Sequence, residues 1–291
     1  MPRKIPKNET KRIGRIKAHY DLEIGLAERL RNSSKDERKT LYTELYDQLF
    51  QQIPDQPTVA QKHDAKIRLN HVSQQMNLVK KYLKSDSVFL EIGPGSCALS
   101  IEVAKFVRKV YAVDVSTEIT KDEILPHNFE LIISDGSSIP VPRNSVDFVY
   151  SNQLMEHLHP GDAICQLQNV YNSLSPGGVY ICRTPNRLTG PHDISRYFDD
   201  IATGFHLKEY TVSELYDLFC AIGFCKMKYF AGGKGVFIKL PLSLIKLCEY
   251  SLTRLPQNLR KRLTDQLLIR ALLGITILAE KPWRISEPYI L

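Results

Sequence analysis

"VFLEIGPGSCALS", residues 88–100, sets a short apolar run against a carboxylate, two glycines one residue apart and an immediate helix-forming segment. The apolar run has the composition of a buried strand, and glycines directly after it let the backbone turn and pass close to a ligand. Gly93, Gly95 and Ala98 satisfy G-x-G-x-x-G/A, and Asp114 follows at roughly the distance of a ribose-binding carboxylate. A dinucleotide oxidoreductase using NAD is a fair first reading of this match. Glu91 argues against it, because a carboxylate two residues before the first glycine would repel a pyrophosphate and suits a cationic ligand.

The surrounding chain supplies the sheet that such a loop needs. Apolar, β-rich runs at 88–92, 109–115, 129–134, 146–151 and 178–184 are separated by helix-length segments such as "CALSIEVAKFVR" and "DAICQLQNVYNSLS". Strand and helix alternating in this way imply an α/β, doubly wound, mostly parallel sheet. "CKMKYF" and "GITILAEKP" add two later strands, giving seven. Ahead of the first strand, residues 18–52 and about 63–83 carry apolar residues at helical spacing, with "NSS" as a capping signal and "IPDQP" as a stop. The expected organisation is a basic tail over 1–17, an N-terminal helical cap over 18–71, and a catalytic domain over 72–291.

Four segments in order, "EIGPGSC", "VYAVDVS", "ISDGSSIPVPRNSVDFVYSNQLMEHL" and "LSPGGVYICRTPN", resemble the class I S-adenosylmethionine-dependent methyltransferases, in the branch that methylates small molecules and lipids such as quinone precursors. The resemblance covers residues 72–230 and resumes at 274–282. It implies a seven-stranded Rossmann-like methyltransferase fold with S-adenosylmethionine as cofactor. It also implies roles. Glu91 would sit near the amino end of the methionine moiety, with Gly93 and Gly95 giving close backbone approach. Asp114 would take the ribose hydroxyls and Val115 would pack on the adenine. Asp135 would face the adenine amino group beside the backbone of Gly136 and Ser137, and Asn152 would lie near the methionine carboxylate. Cys97 departs from the family pattern, standing where a third glycine is usual.

Methyl transfer to a hydroxyl needs a base poised near neutrality, which makes His157 in "MEHLHP" the catalytic candidate, at the carboxyl end of the fourth strand. The alternative role for Glu156-His157 is to fix the loop. Glu156, His157 and His159 carry metal-ligating groups, but with no partner cluster at ligand spacing no metal is expected. The polar segment after the fifth strand supplies Arg187, His192, Arg196, Tyr197 and His206 as substrate-side candidates. The acceptor expected is a small-molecule, lipid-like or glycan compound methylated on oxygen or carbon. A catalytically idle binding protein with this fold is the alternative from another class.

Charge and composition narrow the partners. The net charge of +7 is concentrated at the two ends of the chain: residues 1–17 hold seven Lys/Arg against Glu9, and 239–273 hold seven against Glu249 and Asp265. The rest is net acidic, so a basic groove for nucleic acid is not expected. Six cysteines without a C-x-x-C pair point to reduced thiols, and the absence of a signal-type or spanning apolar run points to a cytoplasmic protein. Residues 240–273 interrupt the family pattern with leucines and isoleucines flanked by Lys and Arg. They are expected to form two amphipathic helices broken at Leu255-Pro256, either covering the core or making peripheral contact with a membrane that presents an amphiphilic acceptor.

Overall fold

The computed structural model describes residues 10–53, 64–117 and 123–283. Its centre is a mixed sheet of eight strands in the order β3-β2-β1-β4-β5-β8-β6-β7. These are β1 (Val88–Ile92), β2 (Lys109–Asp114), β3 (Phe129–Ile133), β4 (Val146–Asn152), β5 (Leu174–Thr184), β6 (Cys225–Gly233), β7 (Val236–Leu240) and β8 (Ile275–Glu280). β1 pairs in parallel with β2 and β4, β2 with β3, and β4 with β5. β8 inserts antiparallel between β5 and β6, and β7 closes the edge as the return strand of a hairpin with β6. The seven strands expected are present; the eighth, "VFIKL", is the correction. It ends at Leu240, where the expected helical insertion begins, and its pairing with β6 is what makes it a strand.

Nine helices among the described residues flank this sheet: α1 (Thr10–Asn32), α2 (Lys35–Gln52), α3 (Ala65–Val79), α4 (Ala98–Val103), α5 (Pro160–Ser173), α6 (Val212–Ile222), α7 (Leu242–Thr253), α8 (Gln257–Thr264) and α9 (Leu267–Leu273). Strand alternation sorts them into two layers. Val88, Leu90 and Ile92 of β1 face the core shared with α1, α2, α5, α6 and α7, while Phe89 faces the core shared with α3 and α4. Three expected boundaries move. Residues 10–17, expected as tail, open α1, and residues 1–9 lie outside the described residues. The cap boundary after residue 71 falls inside α3, whose apolar stripe Val72, Met76 and Val79 runs through it unbroken. The insertion forms three helices, not two, because Pro256 and Gln266 each start a new one.

α1 and α2 do not form a separate unit. α2 begins at a capping box in which the Ser34 hydroxyl accepts from Glu37 N and the Glu37 side chain accepts from Ser34 N. It is then bolted to the start of α5 by charge. The Arg38 guanidinium donates two bonds to the Asp162 carboxylate, at 2.6 and 3.1 Å, and the Tyr42 hydroxyl donates to the same carboxylate at 3.0 Å. All three side chains are buried. Tyr42 in turn accepts from the backbone N–H of His159 at 2.8 Å, so the network also holds the loop after β4. α1 fixes the opposite rim: Arg31 donates to the carbonyls of Thr203 and Gly204 at 2.7 and 3.0 Å, and the Tyr20 hydroxyl to Asp199 at 2.8 Å.

A buried charge that loses its partner is costly, so Arg38→Met is expected to destabilise the protein by roughly 3 kcal/mol. Urea denaturation of the two proteins measures this; a change below about 1 kcal/mol would mean that the pair is dispensable and α2 is held by its apolar face alone.

Candidate active site

A cavity of about 440 Å³ opens at the carboxyl ends of β1, β2 and β4, under α1 and α2. Its two halves differ in chemistry. The first is lined by Gly93, Gly95, Asp114, Val115, Gly136 and Ser138. Gly93 has φ +66°, and a Cβ there would stand 3.0 Å from Leu154; Gly136 has φ +86°, and a Cβ would stand 2.8 Å from the Tyr42 ring. Both positions therefore require glycine, for conformation and for space. Cys97 takes the same left-handed conformation, φ 55°, ahead of α4, where a non-glycine residue costs about 1 kcal/mol of backbone strain.

Asp114 ends β2 with its carboxylate accepting from Val115 N at 2.7 Å and Gly95 N at 3.3 Å. Burial raises its pKa to about 6, against which those backbone bonds pull. α2 roofs this end: the Thr43 hydroxyl donates to Val115 O at 2.7 Å, and the Ser116 hydroxyl to Asp47 at 2.5 Å. Gln166 of α5 donates to Gly136 O at 2.7 Å and fixes the floor.

The second half is lined by His19, Glu23, His157, His192, Asp193 and His206, with Arg196 and Tyr197 beside them and Tyr46 and Phe50 as apolar wall. The Tyr46 ring stacks on Phe205 at 5.1 Å and meets His157 edge-on at 6.1 Å. His157 Nδ1 lies 3.0 Å from Phe205 O, which fixes that nitrogen as the donor and leaves Nε2 without a proton. His206 Nδ1 lies 2.7 Å from Glu209 Oε1, and the two imidazoles cross at 87° with 4.9 Å between centroids. His192 Nδ1 is 3.3 Å from the other Glu209 oxygen, and these two histidines hold the Glu209 carboxyl at about 2 despite burial.

Of the residues singled out in the sequence, the cavity gathers Gly93, Gly95, Asp114, Val115, Gly136, His157, His192, Arg196, Tyr197 and His206. It does not gather Glu91, Asp135, Ser137, Asn152 or Arg187. Alternation along β1 turns Glu91 toward α4, where its carboxylate takes the Ser100 hydroxyl at 2.5 Å, and burial raises it to about 8. Asp135 is spent on its own turn, accepting from the backbone N–H groups of Ser137 and Ser138 at 2.9 and 2.7 Å. In place of Asn152, Gln153 reaches the wall, with φ +58°. Arg187 pairs with Glu214 at 3.0 Å, half exposed. His157 is not poised near neutrality: burial, with a smaller push from His206, lowers it to about 3, so it is a poor proton acceptor at physiological pH. Sequence reasoning missed His19, Glu23, Tyr42, Tyr46 and Asp193. The aromatics carried a helical-packing pattern, and nothing in their spacing marks a cavity wall.

The glycine turns and the Asp114 carboxylate lie together at the carboxyl edge of the sheet, where an open α/β fold takes its ligand. Residues 90–182 match the family of methyltransferase domains. The chain is 31% identical over 137 residues to a protein of Mycolicibacterium smegmatis described as "Probable S-adenosylmethionine-dependent methyltransferase", spanning 46% of this chain and 51% of that protein. It is 39% identical over 74 residues to the ribosomal RNA small subunit methyltransferase A of Mesoplasma florum, spanning 23% of this chain and 27% of that protein. It thus spans about half the length of the first of these curated relatives and about a quarter of the second. Among solved structures, phosphoethanolamine N-methyltransferase 1 of Haemonchus contortus, in complex with phosphoethanolamine and S-adenosylhomocysteine, superposes with a TM-score of 0.55 at 15% identity, over 85% of this chain and 50% of that one. The fold is the Rossmann-like methyltransferase fold.

The chain's own residues fit S-adenosylmethionine. Gly93 and Gly95 leave bare backbone where such a ligand must approach, and Asp114 offers a half-buried carboxylate to a ribose diol.

Glu91 makes stability depend on pH. Its folded pKa, about 8, lies above the usual 4.5, so the native state binds more protons than the unfolded one between those values and stability falls as pH rises through them. Glu91→Gln is expected to be the more stable protein at pH 8, by roughly 2 kcal/mol, with the difference closing near pH 5. Urea denaturation at the two pH values checks this; a constant difference would show that Glu91 is ionised throughout.

Proposed function

We propose that this protein is an S-adenosylmethionine-dependent methyltransferase acting on a hydroxylated small molecule, lipid-like or glycan acceptor. The observation that carries the reading is the continuity of one cavity from Asp114 to the histidine-lined chamber. Donor and acceptor sites that share one continuous space are what an in-line displacement needs, because alignment is the main contribution the protein makes. When bound, S-adenosylmethionine supplies an electrophilic methyl group on a sulfonium. Asp114 anchors the ribose, the glycine turns admit the backbone of the loop to close range, and α2 excludes water above them. His19, Glu23, Asp193 and Arg196 give the acceptor chamber hydrogen-bonding walls that suit a hydroxylated compound, and Tyr46 and Phe50 give it one apolar side. The same features weigh against an idle scaffold, for which no paired donor and acceptor spaces are needed.

Isothermal titration with S-adenosylhomocysteine tests the cofactor half. A carboxylate that accepts from ribose hydroxyls contributes about 1.5–3 kcal/mol, so Asp114→Ala is expected to weaken binding roughly 10- to 150-fold. Because the ionised form is the acceptor and its pKa is about 6 in the free protein, affinity is expected to fall as pH drops below 6. In Asp114→Asn it should be independent of pH. Binding indifferent to both changes would contradict the placement.

A surface observation favours an amphiphilic acceptor. No helix among the described residues is long and apolar enough to cross a membrane. Yet the insertion exposes Leu247 and Tyr250 on α7 and Leu267 and Leu268 on α9, the last two 76% and 82% exposed, in a segment rich in Lys and Arg. Such a surface suits peripheral contact with an anionic bilayer. Co-sedimentation with phosphatidylserine vesicles is expected for the wild type and lost in a Leu267→Ser, Leu268→Ser double variant; no dependence on anionic lipid would contradict it.

A further inference from the structure

We propose that Glu156, His157 and His206 form a divalent metal site on the acceptor side of the cavity, one that takes an oxygen of the acceptor in its open positions. The proposal rests on the methyltransferase reading for the identity of that oxygen, not for the metal.

Three observations carry it. First, one ligand atom from each of the three side chains lies within 4.8 Å of the others. Metal bonds of about 2.0–2.2 Å set neighbouring ligands roughly 3–3.5 Å apart, so small rotamer adjustments close the set. Second, each imidazole has one nitrogen tied down and the other left over. The carbonyl of Phe205 holds Nδ1 of His157 and the carboxylate of Glu209 holds Nδ1 of His206, so each ring turns its Nε2 away from those partners. A histidine whose far nitrogen is tied to a carboxylate or a carbonyl is the usual supporting arrangement around a protein-bound metal. Third, Glu156 is fully buried, its Oε2 takes the Thr184 hydroxyl at 2.8 Å, and its Oε1 has no hydrogen-bond partner. A buried carboxylate oxygen left unpartnered is expensive, and a cation is the partner that explains it.

Two imidazole nitrogens and one carboxylate oxygen suit Zn²⁺, Fe²⁺, Co²⁺ or Ni²⁺ and leave positions free. His157 and His206 line the cavity, so those positions face the acceptor chamber. A hydroxyl held there would be more acidic and fixed in direction. The third ligand comes from the segment before α6, remote in sequence from "MEHLHP". The expectation of no metal rested on neighbours in sequence and could not include it.

The test is Co²⁺ titration of the untagged, metal-free protein, followed by visible absorption, with S-adenosylhomocysteine binding measured on the same sample. One Co²⁺ per chain with d–d bands between about 500 and 700 nm is expected, displaced by Zn²⁺. Glu156→Gln and His206→Gln should each weaken binding at least 100-fold. Glu209→Gln retains the hydrogen bond to His206, so it guards against a variant that fails to fold; it should lose about tenfold. Absence of stoichiometric Co²⁺ binding, or binding that all three variants leave unchanged, overturns the site. A wild-type protein that binds S-adenosylhomocysteine but no Co²⁺ would sink this inference alone, whereas one that binds Co²⁺ but no S-adenosylhomocysteine would sink the methyltransferase reading and leave the metal site standing.

Discussion

The bidentate pair between Arg38 and Asp162 is the constraint on which the site depends. It joins a helix from the N-terminal part of the chain to the helix after β4, and it does so in the interior, where a charge accepts a partner or costs several kcal/mol. Everything above the cleft follows from where it fixes α2. Tyr42 reaches the same carboxylate and lies over Gly136, which has no side chain to obstruct it. One turn on, Thr43 and Asp47 bond to the residues just after Asp114, and Tyr46 packs between Phe50, Phe205 and His157. A single helix therefore roofs the glycine-turn end of the cavity and walls its histidine-lined end.

The doubly wound sheet was legible because its physics is local. A parallel strand buried on both faces must be a short apolar run, and the glycine turn after the first one has few alternatives. Asp114 was legible for the same reason, since a carboxylate at the tip of the second strand has a fixed place relative to that turn. The edge strand β7 was not, because "VFIKL" has the composition of an exposed hairpin arm and only its pairing with β6 separates it from the helices that follow.

The site was half legible, and the divide follows distance along the chain. Glu91 shows the limit of a motif: its spacing is that of a ligand contact, but alternation in β1 sends it to the opposite face, against Ser100. His157 was found in its segment, yet its environment comes from elsewhere in the chain: burial and His206 lower its basicity, while the Phe205 carbonyl holds Nδ1 and pulls the other way. Glu209 was invisible as a functional residue, since its part is to tie down His206 and His192, which only the fold brings to it.

The central claim is that the helix carrying Arg38, Tyr42 and Tyr46 closes over the cofactor, making cleft and chamber one space. Hydrogen exchange with and without S-adenosylhomocysteine tests it most directly. Slowed exchange is expected to appear together at residues 91–97, at 114–117 and across 42–50, with the insertion at 242–273 unchanged. Protection of the glycine turn and Asp114 without any change across 42–50 would contradict it, and would leave α2 as a layer of the core with no part in the site.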